Sequence, residues 1–275
     1  MPQVNPKYYD KNYFQQQSLS PDFNKQLKAS DFQSKYQQSI SLSSFKKNDI
    51  VCDYGCGTGD LSFLLSLKYD CQIIAIDYSP DAIKICKEKL KLFKKHTNPQ
   101  AKIKFLNKSN KEIPNLKNIK TIFFTDVFEH LYDSEIKFLI NKIKKWDNTP
   151  EIIVHTDNNN YLKFIQPIIN TISLLLRSTT IKTIKTNRDF DKKRHINLTN
   201  PKELKEKMNR FNFQQIKVKY PRPSIKMVKN QLSKLAKFKF ITNTSLFLIK
   251  KIPILSPSFF ALYRFNSVNK LTAAS

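Results

Sequence analysis

The sequence predicts an α/β fold built on a mostly parallel sheet with helices on both faces. Three observations lead there. Strand-like and helix-like apolar periods alternate from Asp49 onward. All three glycines of the 275 residues fall in one window, Gly55-Cys56-Gly57-Thr58-Gly59, directly after the first strand. An acidic residue, Asp77, ends the second strand.

The elements follow in order. Asp49 to Asp53 reads as a short buried strand, and a helix runs from about Asp60 to Lys68. Cys71 to Asp77 is strand two. Ser79 caps a helix with Pro80 at its first position, and Ile83, Ile85, Leu90 and Phe93 recur along it. Ala101 to Leu106 is strand three and Thr121 to Thr125 strand four. Asp133 or Ser134 opens a helix with Ile136, Leu139, Ile140 and Ile143 on one face. Glu151 to Thr156 is strand five. Asn200-Pro-Lys-Glu203 is a capping box with proline at N1, starting a helix to about Arg210. Phe213 to Tyr220 alternates as strand six, and Ser258 to Phe265 closes the sheet as strand seven. Residues 1–47 are polar with Tyr8, Tyr9, Tyr13, Phe14, Phe23, Phe32 and Tyr36 at helical spacing. They predict a helical flap against the domain of residues 48–275, which carries insertions at about 158–193 and 221–257.

Composition narrows the function. Lys plus Arg exceed Asp plus Glu by 48 − 22, a net charge of +26. From Pro201 onward sixteen basic residues face two acidic ones. Such a surface attracts nucleic acid, anionic lipid or phosphorylated glycans, and lysine fixed by compositional drift is the plainer alternative. Cys52, Cys56, Cys71 and Cys86 show neither a CxxC pair nor zinc spacing, so buried free thiols and no metal site are expected. The N-terminus lacks an apolar signal core, and Ile165 to Leu176 is too short and polar to span a membrane. A cytoplasmic protein is expected, with peripheral contact at the inner membrane surface as an extension.

The glycine loop carries the chemistry. A backbone turning sharply after a strand and passing close to a ligand has no room for a Cβ. The following helix offers free N–H groups and a positive dipole end. A dinucleotide loop would place its third glycine at position 60, where Asp60 stands, so the spacing is GxGxG instead. Asp77 can accept hydrogen bonds from both hydroxyls of a ribose. Asp53 can orient the loop or reach an amino-acid moiety. A structural turn beside a helix-capping aspartate is the bland alternative.

Four blocks, VCDYGCGTGDLS (51–62), AIDYSPDAIKICKEKL (75–90), TDVFEHLYD (125–133) and HINLTNPKELKEKMNRFNF (195–213), resemble the class I S-adenosylmethionine-dependent methyltransferases. The likeness covers Asp49 to about Phe213 and is greatest to the small-molecule, ubiquinone-biosynthesis-like group. It implies a Rossmann-like seven-stranded sheet of order 3-2-1-4-5-7-6 with strand seven antiparallel. It also implies S-adenosylmethionine as cofactor, lying across the ends of strands one, two and four. Gly55, Cys56 and Gly57 would then contact its aminopropyl part, and Asp77 and Tyr78 the ribose and adenine, with Asp53 and Gly59 also expected among the cofactor-binding residues. Asp126, Val127 and Phe128 would line the methyl-donor side, and Ser109 or Asn110 would lie near the adenine amine. Ser109 stands where the family usually has aspartate.

Methyl transfer from a sulfonium is an in-line displacement that needs alignment and exclusion of water. Tyr54 or Phe128 could face the sulfonium. A hydroxyl acceptor gains from a base, and Glu129, His130 and His195 are the candidates. The pair Glu129-His130 can equally shape the pocket, and His195 can equally cap or pack. His155, inside a strand, reads as a satisfied core histidine. Asp157 and Asn158 are polar contacts or turn residues.

Both insertions leave the sheet at its C-terminal face, so they are expected to overhang the site as a lid. The first carries Phe164, Ile165, Ile168, Ile169, Ile172, Leu174, Leu175 and Leu176. The second mixes Met227, Leu232, Leu235, Phe238 and Phe240 with lysines. An anionic membrane or a lipid-linked substrate would suit them, and so would plain completion of the core. The leading expectation is methyl transfer to a small-molecule, glycan or lipid-linked acceptor at oxygen. An RNA-modifying enzyme is the alternative, although TDVFEHL lacks the Pro-Pro-aromatic turn that grips a flipped base. A non-catalytic cofactor-binding module is the third.

Overall fold

The computed structural model describes residues 13–14, 20–109, 112–175, 177, 179–221, 239–252 and 256–266. Asn110 lies outside that set, and so do residues 222–238 and 253–255, together more than half of the second insertion. Seven strands form one sheet of order β3-β2-β1-β4-β5-β7-β6. They are β1 Ile50–Tyr54, β2 Gln72–Asp77, β3 Ile103–Asn107, β4 Ile119–Thr125, β5 Glu151–Asp157, β6 Phe213–Lys219 and β7 Ser258–Phe265. β1 to β5 pair parallel, while β7 runs antiparallel between β5 and β6. The predicted order and the reversed last strand are both present.

The central strands β1, β4, β5 and β7 are largely apolar runs because both sheet faces are covered there, while the edge strands β3 and β6 keep exposed polar positions. Along β4, Ile122 and Phe124 point into one core and Phe123 into the other. Along β7 the same alternation takes Phe259, Ala261 and Tyr263 one way and Phe260 and Leu262 the other. This is the two-residue period of a pleated strand, buried on both sides.

One core is closed by α4 (Asp133–Ile143) and α7 (Pro201–Asn209), through Ile136, Leu139, Ile140, Ile143, Leu204 and Met208. The other is closed by α2 (Asp60–Lys68) and α3 (Pro80–His96), through Leu61, Leu64, Leu65, Ile83, Cys86 and Phe93. The N-terminal segment joins this second core. Phe23, Leu27, Phe32 and Ile40 are buried, the last in α1 (Ser34–Ile40). Phe23 meets Phe63 edge to face at 4.7 Å.

The caps form as the sequence implies. Ser79 Oγ accepts from the Ala82 N–H at 3.2 Å, and Asn200 Oδ1 accepts from the N–H groups of Lys202 and Glu203 at 3.0 Å. Glu203 returns the bond to the Asn200 N–H, completing the box. The four cysteines are free and buried.

The first insertion is helical rather than merely apolar and basic. A π-helical stretch, Tyr161–Ile165, runs into α5 (Gln166–Leu175), and α6 (Ile181–Arg194) returns the chain. In the second insertion, α8 spans Lys239–Lys251. No helix among the described residues is long and apolar enough to cross a membrane.

Candidate functional site

A cavity of about 230 Å³ opens at the C-terminal ends of β1, β2 and β4. Parallel register puts Tyr54 beside Ile76 on one side and Phe124 on the other, so the loops after all three strands converge there. Its wall includes Asp53, Gly55, Cys56, Gly57, Asp77, Tyr78, Asp126, Val127 and His130.

The floor is the glycine loop. The N–H groups of Gly55 and Cys56 both donate to the Ile76 carbonyl, at 2.8 and 3.0 Å, pinning the loop to β2. A Cβ on Gly55 would lie 2.5 Å from Val127 Cγ2, so the loop touches the turn after β4 and admits no side chain there. Gly57, at φ +51°, is different. Among the described residues, a Cβ built on it would meet only the Phe14 ring, at 3.8 Å, and its backbone lines the cavity. Gly59 sits back from the wall as the N-cap of α2.

Asp77 locks this floor to strand two. Its carboxylate accepts from the Gly57 N–H at 2.8 Å and from the Ser79 N–H at 2.8 Å. Burial pushes its pKa up to about 6, against the lowering effect of these backbone donors. A carboxylate has about four acceptor positions, and the Gly57, Tyr78 and Ser79 N–H groups take three, so it keeps room for a hydroxyl donor. Asp53 accepts from Ser62 Oγ at 2.6 Å, and burial, reinforced by the nearby Asp77 charge, drives it up to about 7. Both acids sit close to neutrality, ready to ionise beside a cation.

The opposite wall is an ion cluster. Asp126 takes a left-handed backbone conformation, φ +57°, which costs a non-glycine residue roughly 1–2 kcal/mol. Its carboxylate bonds Lys35 Nζ from α1 and His155 Nδ1 from β5. Burial alone would raise its pKa, but the Lys35 ammonium and the His155 imidazole outweigh that and hold it well below the usual carboxylate range. His155 is completed by Ser258 Oγ at 3.0 Å and the Phe260 ring at 4.5 Å. It is the satisfied strand histidine expected from its position.

His130 is the histidine in the cavity wall. Its Nδ1 lies 3.0 Å from the Arg194 carbonyl, which can only accept, so Nδ1 carries the proton and Nε2 the lone pair. Burial, then the neighbouring His195, lowers its pKa to about 4, so the ring is neutral at pH 7. His195 stands behind it, ring edge toward ring at 4.9 Å, with its Nδ1 3.4 Å from Asp157.

Several expected residues are placed elsewhere. Glu129 is buried beneath the turn, where it accepts from Thr156 Oγ1 at 2.7 Å. Burial, then the charges of Asp126 and Asp157, push its pKa up, and it stands as a buried structural group outside the cavity wall. Phe128 packs into the core against Phe124 at 5.0 Å, leaving Tyr54 as the aromatic of that pair in the wall. Ser109 turns away to Glu112 at 3.0 Å, and Lys108 lines the cavity instead. Asn158 is buried just after β5 in a parallel bridge to Thr199, and its side-chain amide donates to the Ser256 carbonyl at 2.9 Å.

The flap residues Tyr13, Phe14, Gln33, Lys35 and Tyr36 also line the cavity; the sequence marks the three aromatics as part of a flap but assigns none of the five to the site. Ser20 tethers the flap to the loop: its hydroxyl lies 2.7 Å from Asp60 Oδ1, and Lys89 Nζ bonds both Ser20 and the Thr58 carbonyl.

A family model for the methyltransferase domain matches residues 45–210, more than half the chain. The chain belongs to that methyltransferase family. The methyltransferase is also similar to the tRNA (guanine(37)-N(1))-methyltransferase of Dictyostelium discoideum, 30% identical over 105 residues. That match covers 38% of this chain and only 22% of the relative. Among solved structures, magnesium protoporphyrin IX methyltransferase from Synechocystis PCC 6803, with bound SAH, has a TM-score of 0.57 at 11% identity. It covers 95% of this methyltransferase and 98% of its own chain. The small RNA methyltransferase HEN1 has a TM-score of 0.58 at 14% identity, covering 85% of this chain and 25% of its own. At such identities the likeness is one of fold.

Proposed function

We propose that this methyltransferase uses S-adenosylmethionine to methylate a small-molecule, glycan or lipid-linked acceptor at oxygen. The observation that carries the proposal is the Asp77 carboxylate, held by the Gly57 and Ser79 N–H groups at the edge of a cavity floored by a side-chain-free backbone. That pairing suits a nucleoside whose ribose hydroxyls reach Asp77 while its amino-acid end passes Gly57 toward Asp53. When bound, S-adenosylmethionine supplies an electrophilic methyl group on a sulfonium centre.

The chain's own residues then have four tasks. Asp53 and Asp77 ionise and draw the cation in. Val127, Leu131 and Tyr54 exclude water from the donor side. The Asp126 ion cluster fixes the turn after β4 in its strained conformation. His130 Nε2 accepts the acceptor's hydroxyl proton as the oxygen becomes the nucleophile. Arg194, through its carbonyl, holds His130 in the required tautomer.

The likeness of the four sequence blocks to the ubiquinone-biosynthesis-like group favours a small or lipid-linked acceptor. The net charge of +26 favours RNA as the second reading. Incubation with S-adenosylmethionine labelled in the methyl group, against separate lipid, glycan and RNA extracts, tests both. Label in the lipid or glycan fraction, lost in His130→Ala, supports the proposal. Label confined to RNA supports the second reading, and no label with intact cofactor binding leaves a non-catalytic module.

A further inference from the structure

The helix α5 is built inside out. Ser173 is its buried residue at 8% exposure, while Ile168 is 57% and Leu175 77% exposed, with Ile172 between them. Phe164, one turn earlier in the π-helical stretch, is 66% exposed. Steps of three and four residues put these side chains on one helical face, so they form a single apolar stripe rather than scattered exposures. Surface patches of this kind on an otherwise polar protein mark an interaction site.

Charge indicates what covers the stripe. Residues 161–194 contain eight basic and two acidic residues, 8 − 2 = +6. On α6, Lys182, Lys185 and Arg188 are exposed at three-residue steps, next to Ile181 at the helix start. A second copy of this chain would bring those cations, and two net charges of +26, against each other. Nucleic acid would answer the charge but leave the aliphatic side chains without partners. An anionic bilayer answers both, taking apolar side chains below its headgroups and cations among them.

We propose that the outward face of α5 and the start of α6 dock this methyltransferase on an anionic lipid bilayer. The segment leaves the sheet at Asp157 and returns at Arg194 and His195, which contact each other's neighbours around His130. Docking there presents the acceptor side of the cavity to the membrane, and in this respect the inference rests on the methyl-transfer reading and names a bilayer-resident acceptor.

Flotation of the full chain with vesicles of phosphatidylcholine alone, or of equal parts phosphatidylcholine and phosphatidylserine, tests the docking itself. Binding is expected to the mixed vesicles only and to fall with salt. The double variant I168S/L175S is expected to partition about 10-fold less, since it removes two exposed apolar side chains from the stripe. K182E/K185E is expected to lose the preference for phosphatidylserine. Both variants should bind S-adenosylmethionine as the wild type does, because neither site lines the cavity. Equal partitioning of wild type and variants, no partitioning at all, or loss of self-association or RNA binding in the variants in place of vesicle binding, overturns the inference. Cofactor affinity, read separately by calorimetry, reports on the methyl-transfer reading.

Discussion

Asp53 and Asp77 keep their protons to about pH 7 and 6 in the ligand-free protein, because burial penalises their charged forms. A cationic cofactor favours the ionised acids, so its binding releases protons. Affinity for S-adenosylmethionine is therefore expected to rise from pH 5 to about pH 8 and then level off, with proton release measurable in buffers of different ionisation enthalpy. A flat profile contradicts the roles given to both acids. The same raised values make the protein lose stability as pH climbs from about 4 to about 7, because the unfolded chain releases these protons near pH 4 and the folded chain only near 6 and 7. Gly55→Ala combines a clash with Val127 and a positive φ, so urea denaturation should show a loss of about 2–4 kcal/mol. Lys35→Ala unties α1 from Asp126; the expected result is a higher KM for cofactor and faster proteolysis of the flap, with circular dichroism unchanged. His130→Ala should cut kcat about 10²-fold, the low end for a general base, since a pKa near 4 makes His130 a weak one.

At the scale of elements, the sequence was readable where local chemistry and tertiary packing agree. Ser79-Pro80 and Asn200-Pro201 mark helix starts because their side chains satisfy orphan N–H groups there. Asn200→Ala is expected to cost about 1 kcal/mol in thermal or urea unfolding. Strand ends were readable to within a residue or two, in β1, β4, β5 and β7 from apolar runs buried on both faces and in β6 from alternation at a sheet edge. Three glycines could be read as a ligand loop because asparagines, Asn48, Asn118 and Asn212, take the left-handed turns before β1, β4 and β6. What stayed hidden was long-range. Lys35 is one of 48 basic residues and carries no local mark of its contact 91 positions away. Phe128 and Glu129 share a block with Asp126, but the short turn through Phe128–His130 sends their side chains into the core and His130 into the cavity. The aromatic spacing of the N-terminus announced helices without saying that Phe23 would seal the core under α2. Phe23→Ala should destabilise the domain by about 3–5 kcal/mol in urea.

At the scale of the whole molecule, one sheet separates two cores and concentrates chemistry at one edge. The floor comes from the turn after β1, the buried Asp77 from β2, the ion cluster from α1, β4 and β5, and the roof from the N-terminal flap. Each is anchored by backbone bonds or ion pairs, so the cavity is shaped before a ligand arrives. Calorimetric titration of S-adenosylmethionine into the wild type and Asp77→Ala measures this directly. One site per chain is expected, weakened about 10- to 100-fold in the variant by losing a charge-assisted hydrogen bond to a ribose hydroxyl. Equal affinity in the two proteins, with the variant still folded, would contradict it.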